Sequence, residues 1–317
     1  MDSAVEFLEA PVAQPSANAN QREIRSVFLS DLHLGSRFSR ATEVLEFLRP
    51  LQPEYLYLVG DIVDLWALRR SWHWPKPYDA LLNHIALLVN NGTKLYYTPG
   101  NHDSALRRFQ TDEPPVQIRD QFIHHCADGR QMVVLHGDQF DRVEGRAKWL
   151  SMIGSVAYGL LLITDRSVNR LLKSLHFQPW RISGTVKRSV KKAVQFISGF
   201  EQRVAEHARE EQCDGIICGH IHVPRYGMLH DVLYVNLGDW IENTTALVEY
   251  ATGELELLEK PSDLLKVHLS QLPDSRNFVE DELRPIAARI ARQILGAVFS
   301  DKILNEGKLP MVEEAIA

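Results

Sequence analysis

Apolar residues recur along the chain in short runs, and each of the first three runs breaks off at a polar cluster. Residues 25–30 (RSVFLS) lead into Asp31-Leu32-His33, Tyr55–Val59 (YLYLV) into Gly60-Asp61, and residues 95–98 (LYYT) into Pro99-Gly100-Asn101-His102-Asp103. Short apolar runs closed by polar clusters predict buried strands. Between them, residues 40–49 and 78–91 place apolar side chains three and four apart, which predicts helices. Alternating strand and helix predicts an α/β fold, in which ligands gather beyond the carboxyl ends of the strands. Further on, Gln131–Leu135 leads into His136-Gly137-Asp138, and Gly215–Cys218 into Gly219-His220-Ile221-His222. Residues 232–237 and a hairpin of 246–250 with 254–258, turning at ATGE, complete the predicted strands. Five strand ends therefore deliver Asp, His and Asn side chains to one place.

Composition adds bounds. A chain of 317 residues with 45% hydrophobic and 24% charged positions has the make-up of a soluble enzyme of one large or two modest domains. The three cysteines, Cys126, Cys213 and Cys218, form no CxxC and no even framework, so they are expected as reduced thiols in a cytosolic protein. Asp2, Glu6 and Glu9 stand where a secretory signal carries basic residues. Residues 1–22, Pro/Ala/Asn-rich over 11–22, are expected to be a disordered tail.

The strand-end residues are the donors of a metal site. Oxygen and imidazole ligands without thiolate suit Mn²⁺, Mg²⁺, Fe²⁺ or Zn²⁺. Two such cations need a shared carboxylate against their repulsion, and Asp61 is the natural bridge. Alone, a DxH or GD is usually a cap or turn, and an HxH a pair on a surface strand. Five motifs in order, DLH, GDIVD, GNHD, HGD and GHIH, each behind an apolar strand, are far more specific.

Over roughly residues 27–258 these motifs resemble the calcineurin-like metallophosphoesterase superfamily. The resemblance implies an αββα sandwich and two divalent ions, Mn²⁺ foremost. Asp31, His33, Asp61 and His222 are then expected to hold one ion, and Asp61, Asn101, His136 and His220 the other. It also implies attack on phosphorus by a metal-bridging hydroxide, with His102 facing the scissile phosphate. Asp103 is a candidate to orient His102; its other reading is the N-cap of a helix over 104–109.

About eighty residues separate HGD from GHIH, too many for a loop. Within them, residues 149–164 carry no charge over sixteen positions, short of the ~20 that a spanning helix needs. A buried lid helix, an interfacial helix and the wall of an apolar chamber all fit that run. Residues 142–200 hold eleven Lys/Arg against only Glu144 and Asp165, a net of +9 in a chain of net −6. Basic and apolar together point to an anionic lipid or membrane surface. Nucleic acid is the competing explanation, but aromatics for base stacking are sparse near Lys187, Arg188, Lys191 and Lys192. A solvated helix face is the plain reading of that quartet.

GDIVDLWALRRSWHWP, HGDQFD, the basic and apolar insert and GHIHVP are similar to the bacterial UDP-2,3-diacylglucosamine pyrophosphatase family of lipid A synthesis. That resemblance implies release of UMP and 2,3-diacylglucosamine 1-phosphate, a helical lid (142–212) receiving the acyl chains, and a peripheral place on the cytoplasmic face of the inner membrane. Arg188 and Lys192, by their position before GHIH, and Arg69 and Arg70, just after the second motif, are candidates for the diphosphate or sugar. One departure is visible: the best-known members read GNRD where this chain has GNHD, the general superfamily form. A soluble phosphodiester, nucleotide or phosphoprotein is the alternative substrate class, and a non-catalytic scaffold the reading from another class. In the expected helical extension 261–317, residues 285–299 start with Pro285 and align Ile286, Ile290 and Ile294 on one face. Packing on its own domain, a homodimer contact and a membrane contact all suit that face.

Overall fold

The computed structural model describes residues 23–112, 114–141 and 184–261. The expected tail (1–22), the apolar run (149–164), the first part of the insertion (142–183) and the helix over 285–299 lie outside the described residues. The strands are β1 (Ile24–Leu29), β2 (Tyr55–Val59), β3 (Lys94–Thr98), β4 (Val116–Ile118), β5 (Gln121–His125), β6 (Gln131–Leu135), β7 (Gly215–Cys218), β8 (Arg225–Leu229), β9 (Val232–Asn236), β10 (Thr245–Tyr250) and β11 (Leu255–Glu259). The helices are α1 (Ala41–Leu48), α2 (Leu65–Arg70), α3 (Lys76–Asn90) and α4 (Gly184–Glu210).

Two mixed sheets face each other. One has the order β11-β10-β1-β2-β3-β4, the other β5-β6-β7-β9-β8. β1 to β4 run parallel, as do β6, β7 and β9, while the β10–β11 hairpin joins the first sheet antiparallel. Side chains alternate across a strand, and this alternation sorts the core. Val27, Leu29, Leu56 and Leu58 pack with α1 and α3 on one face of the first sheet. Phe28, Tyr57, Val59 and Leu247 turn the other way and meet Phe122, Met132, Val134, Ile217 and Val235 of the second sheet. Strands covered on both faces read as unbroken apolar runs, which is why these were legible. α1 buries Val44, Leu45, Phe47 and Leu48, spaced as one helical stripe. α3 opens with Pro75 at its N-cap and a second proline in its first turn, where the missing N–H loses no hydrogen bond.

The chain divides into two compact units, Gln139–His207 forming the second. Within that unit Arg203 Nε donates to the Phe140 carbonyl (2.9 Å), and the Phe140 and His207 rings stand 5.2 Å apart. Among the described residues no helix is long and apolar enough to cross a membrane.

Candidate metal centre

β1, β2, β3, β6 and β7 all deliver donors from their carboxyl ends. Backbone pairing continues past the strands, with Asp31 N on the Gly60 carbonyl (3.0 Å) and His33 N on that of Asp61 (2.9 Å). Here the backbone leaves ordinary space: Asp31 (φ 55°), His33 (φ 48°), Asp61 (φ 53°), His220 (φ 71°) and His222 (φ 54°) all adopt the left-handed conformation. For residues with a Cβ this costs on the order of 1–3 kcal/mol each, and packing must enforce it. Two glycines permit the close approach. A Cβ on Gly60 would strike the His136 imidazole, and one on Gly100 would meet Asp61 Oδ1 and stand 2.7 Å from His136 Cδ2.

The donors converge in three overlapping clusters, Asp31 with His33 and His222, Asp31 with Asp61 and His136, and Asp61 with His33 and His102, so both carboxylates are shared. In the first, His222 Nε2 lies 2.9 Å and His33 Nε2 3.7 Å from Asp31 Oδ1, and the two imidazole nitrogens are 3.4 Å apart. In the second, Asp31 and Asp61 meet His136, whose Nε2 is 3.5 Å from Asp61 Oδ2. His220 belongs beside them: its backbone N donates to Asp31 Oδ2 (3.1 Å), and its ring lies 5.2 Å from that of His136. Asn101 Oδ1 and His136 Nε2 are buried and make no hydrogen bond. Buried polar atoms are normally satisfied, and donors left open inside a carboxylate–imidazole cluster are what a divalent cation takes up.

A surrounding shell sets the imidazoles for that task. His136 Nδ1 stands 3.0 Å from the Val59 carbonyl, so Nδ1 donates there and Nε2 is the nitrogen turned to the carboxylates. His33 Nδ1 lies 3.4 Å from Asp64 Oδ2 and His222 Nδ1 3.6 Å from Asp239 Oδ2. Such outer carboxylates fix ring orientation and raise ligand basicity. Asp239 is itself held by the Ile241 (2.7 Å) and Glu242 (2.6 Å) amides and by Asn243 Nδ2 (2.6 Å).

Electrostatics agree with the donor set. Burial alone would neutralise Asp61, but the His136 charge holds its carboxyl far below the usual range. Burial works against charge on Asp31 too, yet His222, His33 and His136 together hold it well below the usual range. Burial opposes charge on His136, yet Asp61 lifts it to about 10. The carboxylates thus demand positive charge, and protons supply it in the metal-free chain. Divalent ions would replace those protons, because imidazole must be neutral to ligate.

His102 is braced from several sides. Its backbone N donates to Asp61 Oδ1 (2.7 Å), its Nδ1 lies 2.9 Å from Asp64 Oδ1, and its Nε2 is 3.9 Å from Asp61 Oδ2. The Trp66 ring lies over it at 3.9 Å, and His33 meets it edge-on at 4.7 Å. Asp103 does not orient it. That carboxylate accepts from the amides of Gly100 (2.6 Å), Ile62 (2.8 Å) and Asp61 (3.3 Å) and from Tyr97 Oη, tying the loop after β2 to the loop after β3. It also makes no capping bond to the 3₁₀ helix Ser104–Phe109. Asp64 takes the orienting position while accepting from Ala67 N (2.8 Å) as N-cap of α2.

Sequence reasoning missed Asp64, Trp66 and Asp239. Asp64 stood in the GDIVD motif, and Asp239 follows an apolar strand as Gly-Asp, the same signal that marked Asp61. Arg69 and Arg70 are exposed in the last turn of α2. Arg188 and Lys192 fall on α4, with side chains outside the described residues.

A two-sheet α/β sandwich with paired carboxylate–imidazole clusters at its strand ends defines a metal-dependent phosphoesterase. Residues 24–224 match the family model described as Calcineurin-like phosphoesterase, and the chain belongs to that family. Among curated relatives, the UDP-2,3-diacylglucosamine hydrolase of Vibrio atlanticus (strain LGP32) is 25% identical over 240 residues, 71% of this chain and 93% of the relative. The UDP-2,3-diacylglucosamine hydrolase of Porphyromonas gingivalis (strain ATCC BAA-308 / W83) is 28% identical over 265 residues, 73% of this chain and 97% of the relative. The DNA polymerase II small subunit of Thermoplasma acidophilum is 25% identical over 242 residues, 68% of this chain but 45% of the relative.

Proposed function

We propose that this phosphoesterase hydrolyses the diphosphate of a nucleotide-linked diacyl lipid of the UDP-2,3-diacylglucosamine type, yielding UMP and the lipid 1-phosphate. The observation that carries the reading is a complete donor set joined, in one chain, to a basic and apolar insertion between HGD and GHIH. Likeness to UDP-2,3-diacylglucosamine hydrolases over most of both chains supports it. Asp31, His33, Asp61 and His222 would hold one divalent ion, and Asp61, Asn101, His136 and His220 the other, with Mn²⁺ the proposed metal. When bound, the pair supplies Lewis-acid charge against the phosphoryl oxygens and makes water nucleophilic near neutral pH. His102 directs Nδ1 at Asp64, which leaves Nε2 to carry the proton that the departing oxygen receives. Arg69, Arg70, Arg188 and Lys192 are assigned to the diphosphate and sugar. The enzyme works on the cytoplasmic face of a membrane, and its substrate is this anionic lipid rather than nucleic acid.

His102, in place of the arginine of the lipid-cleaving family, favours a second reading in which the substrate is a soluble phosphodiester or nucleotide. The deciding experiment supplies purified protein and Mn²⁺ with UDP-diacylglucosamine, a UDP-sugar, bis-nitrophenyl phosphate and a phosphopeptide. UMP and lipid 1-phosphate are expected, with kcat/KM highest for the diacylated substrate. Equal or faster cleavage of the UDP-sugar would overturn the lipid assignment.

A further inference from the structure

The loops leaving β1 and β2 bear side chains that the metal centre does not use. Phe38 is 75% exposed and Trp72 is 46% exposed. Contacts tie the two loops into one surface. Tyr78 Oη donates to the Ser36 carbonyl (2.5 Å), and Phe38 N donates to Ser36 Oγ (3.3 Å). The Tyr78 ring takes His73 and Trp74 edge-on at 6.1 and 5.3 Å, and Trp74 stacks with Trp72 at 6.1 Å. Trp74 Nε1 is anchored on Asp79 (2.8 Å), so the stacked pair has a fixed root. Exposed cations surround it: Arg37, Arg69, Arg70 and Lys76. Residues 36–40 and 65–79 together hold five Lys/Arg against Asp79 alone, in a chain of net −6.

We infer that this ridge docks the enzyme on an anionic lipid bilayer. Phe38 and Trp72 enter the headgroup boundary, and Arg37 and Lys76 meet the lipid phosphates. Charge and composition choose the occupant. Aromatic rings with a polar rim settle at membrane interfaces, and clustered cations are drawn to anionic headgroups. A nucleic acid would need ring faces laid open for successive bases, whereas Trp74 already takes one face of Trp72. The same two loops carry Asp31, His33, Asp61 and Asp64, so docking there brings the metal donors to the lipid surface. The ridge deepens the lipid reading above and rests on it for its purpose.

The test is co-sedimentation of the full chain with vesicles of phosphatidylglycerol and phosphatidylcholine, against phosphatidylcholine alone. Binding is expected to the anionic vesicles only, weakening as salt rises. Phe38→Ser with Trp72→Ser should cut it at least tenfold, and Arg37→Gln with Lys76→Gln should cut it most at low salt. Both double variants should hydrolyse bis-nitrophenyl phosphate at the wild-type rate, which shows that they fold. Failure of wild type to bind, equal binding to neutral vesicles, or undiminished binding by either variant would overturn the ridge. Activity on detergent-dispersed lipid substrate separates the two ideas. A chain that cleaves it yet ignores vesicles loses the ridge alone, while one that binds through the ridge and leaves the lipid uncut loses the substrate reading alone.

Discussion

Asp64 braces two imidazoles with one carboxylate, His102 at 2.9 Å and His33 at 3.4 Å. Asp64→Asn should therefore lower kcat by roughly 10–100-fold through lost orientation, with little change in melting temperature. Asp103→Ala should do the reverse. It leaves buried amides at Gly100 and Ile62 unpaired, at about 1–3 kcal/mol each, so thermal unfolding should show the loss. The shared ligand gives a second test: Asp61→Ala should release both ions and Asn101→Ala mainly one, as read by elemental analysis. Asp61→Ala retaining two ions per chain would sink the bridging role. The donors were legible because each stands directly behind an apolar strand. Asp64 was not, because its role lies in contact with a residue 38 positions away. Adjacency misled for Asp103: neighbouring residues point their side chains in different directions.

At the scale of elements, the strands missing from the sequence reading are β4, β5 and β8, and each is an edge strand. An edge strand is covered on fewer sides, so it carries no apolar run. β8 alternates intermediate and exposed positions throughout, and β4 is three residues long. What holds the loops behind these elements was equally hidden. Arg107 Nη2 donates to the Pro99 carbonyl (2.9 Å) and to Asp138 (2.8 Å), while Nε donates to Asp120 (3.0 Å). One guanidinium thus clamps the turn before Asn101 to the loop after His136, across the two sheets. Arg107→Ala should weaken one ion of the pair, that proposed for Asn101 and His136, by about tenfold or more. Arg107→Lys should restore little, because one ammonium cannot span the three partners. Metal titration followed by calorimetry measures it, and unchanged binding of both ions would refute the clamp.

Over the whole molecule, the sheets are joined by a buried polar knot as well as by apolar packing. Glu249 on β10 accepts from Arg25 (2.9 Å), from His124 of β5 (3.0 Å), from the Ala127 amide (2.7 Å) and from Ser26 Oγ, while Tyr57 Oη meets His124 Nδ1 at 3.1 Å. Burial favours the neutral acid, yet His124, Ser26 and the Ala127 amide outweigh it and hold Glu249 down at about 2. A depressed carboxyl stabilises the fold above its unfolded pKa of ~4.3, and the contribution fades as pH falls from there through about 2. The span amounts to about 3 kcal/mol. Urea unfolding of Glu249→Gln should accordingly be flatter than wild type between pH 5 and pH 2, on the order of that difference. Matching slopes would place the acid sensitivity elsewhere.

The left-handed backbone at Asp31, His33, Asp61, His220 and His222 has a consequence for how such a chain drifts over generations. Each of these residues is held where glycine would rest without strain, so glycine there would relieve about 1 kcal/mol of backbone strain, against which Asp31 and Asp61 set the His220 and His102 amides that they accept from. A lineage that needed only the scaffold could shed that tension one turn at a time, at the imidazoles first.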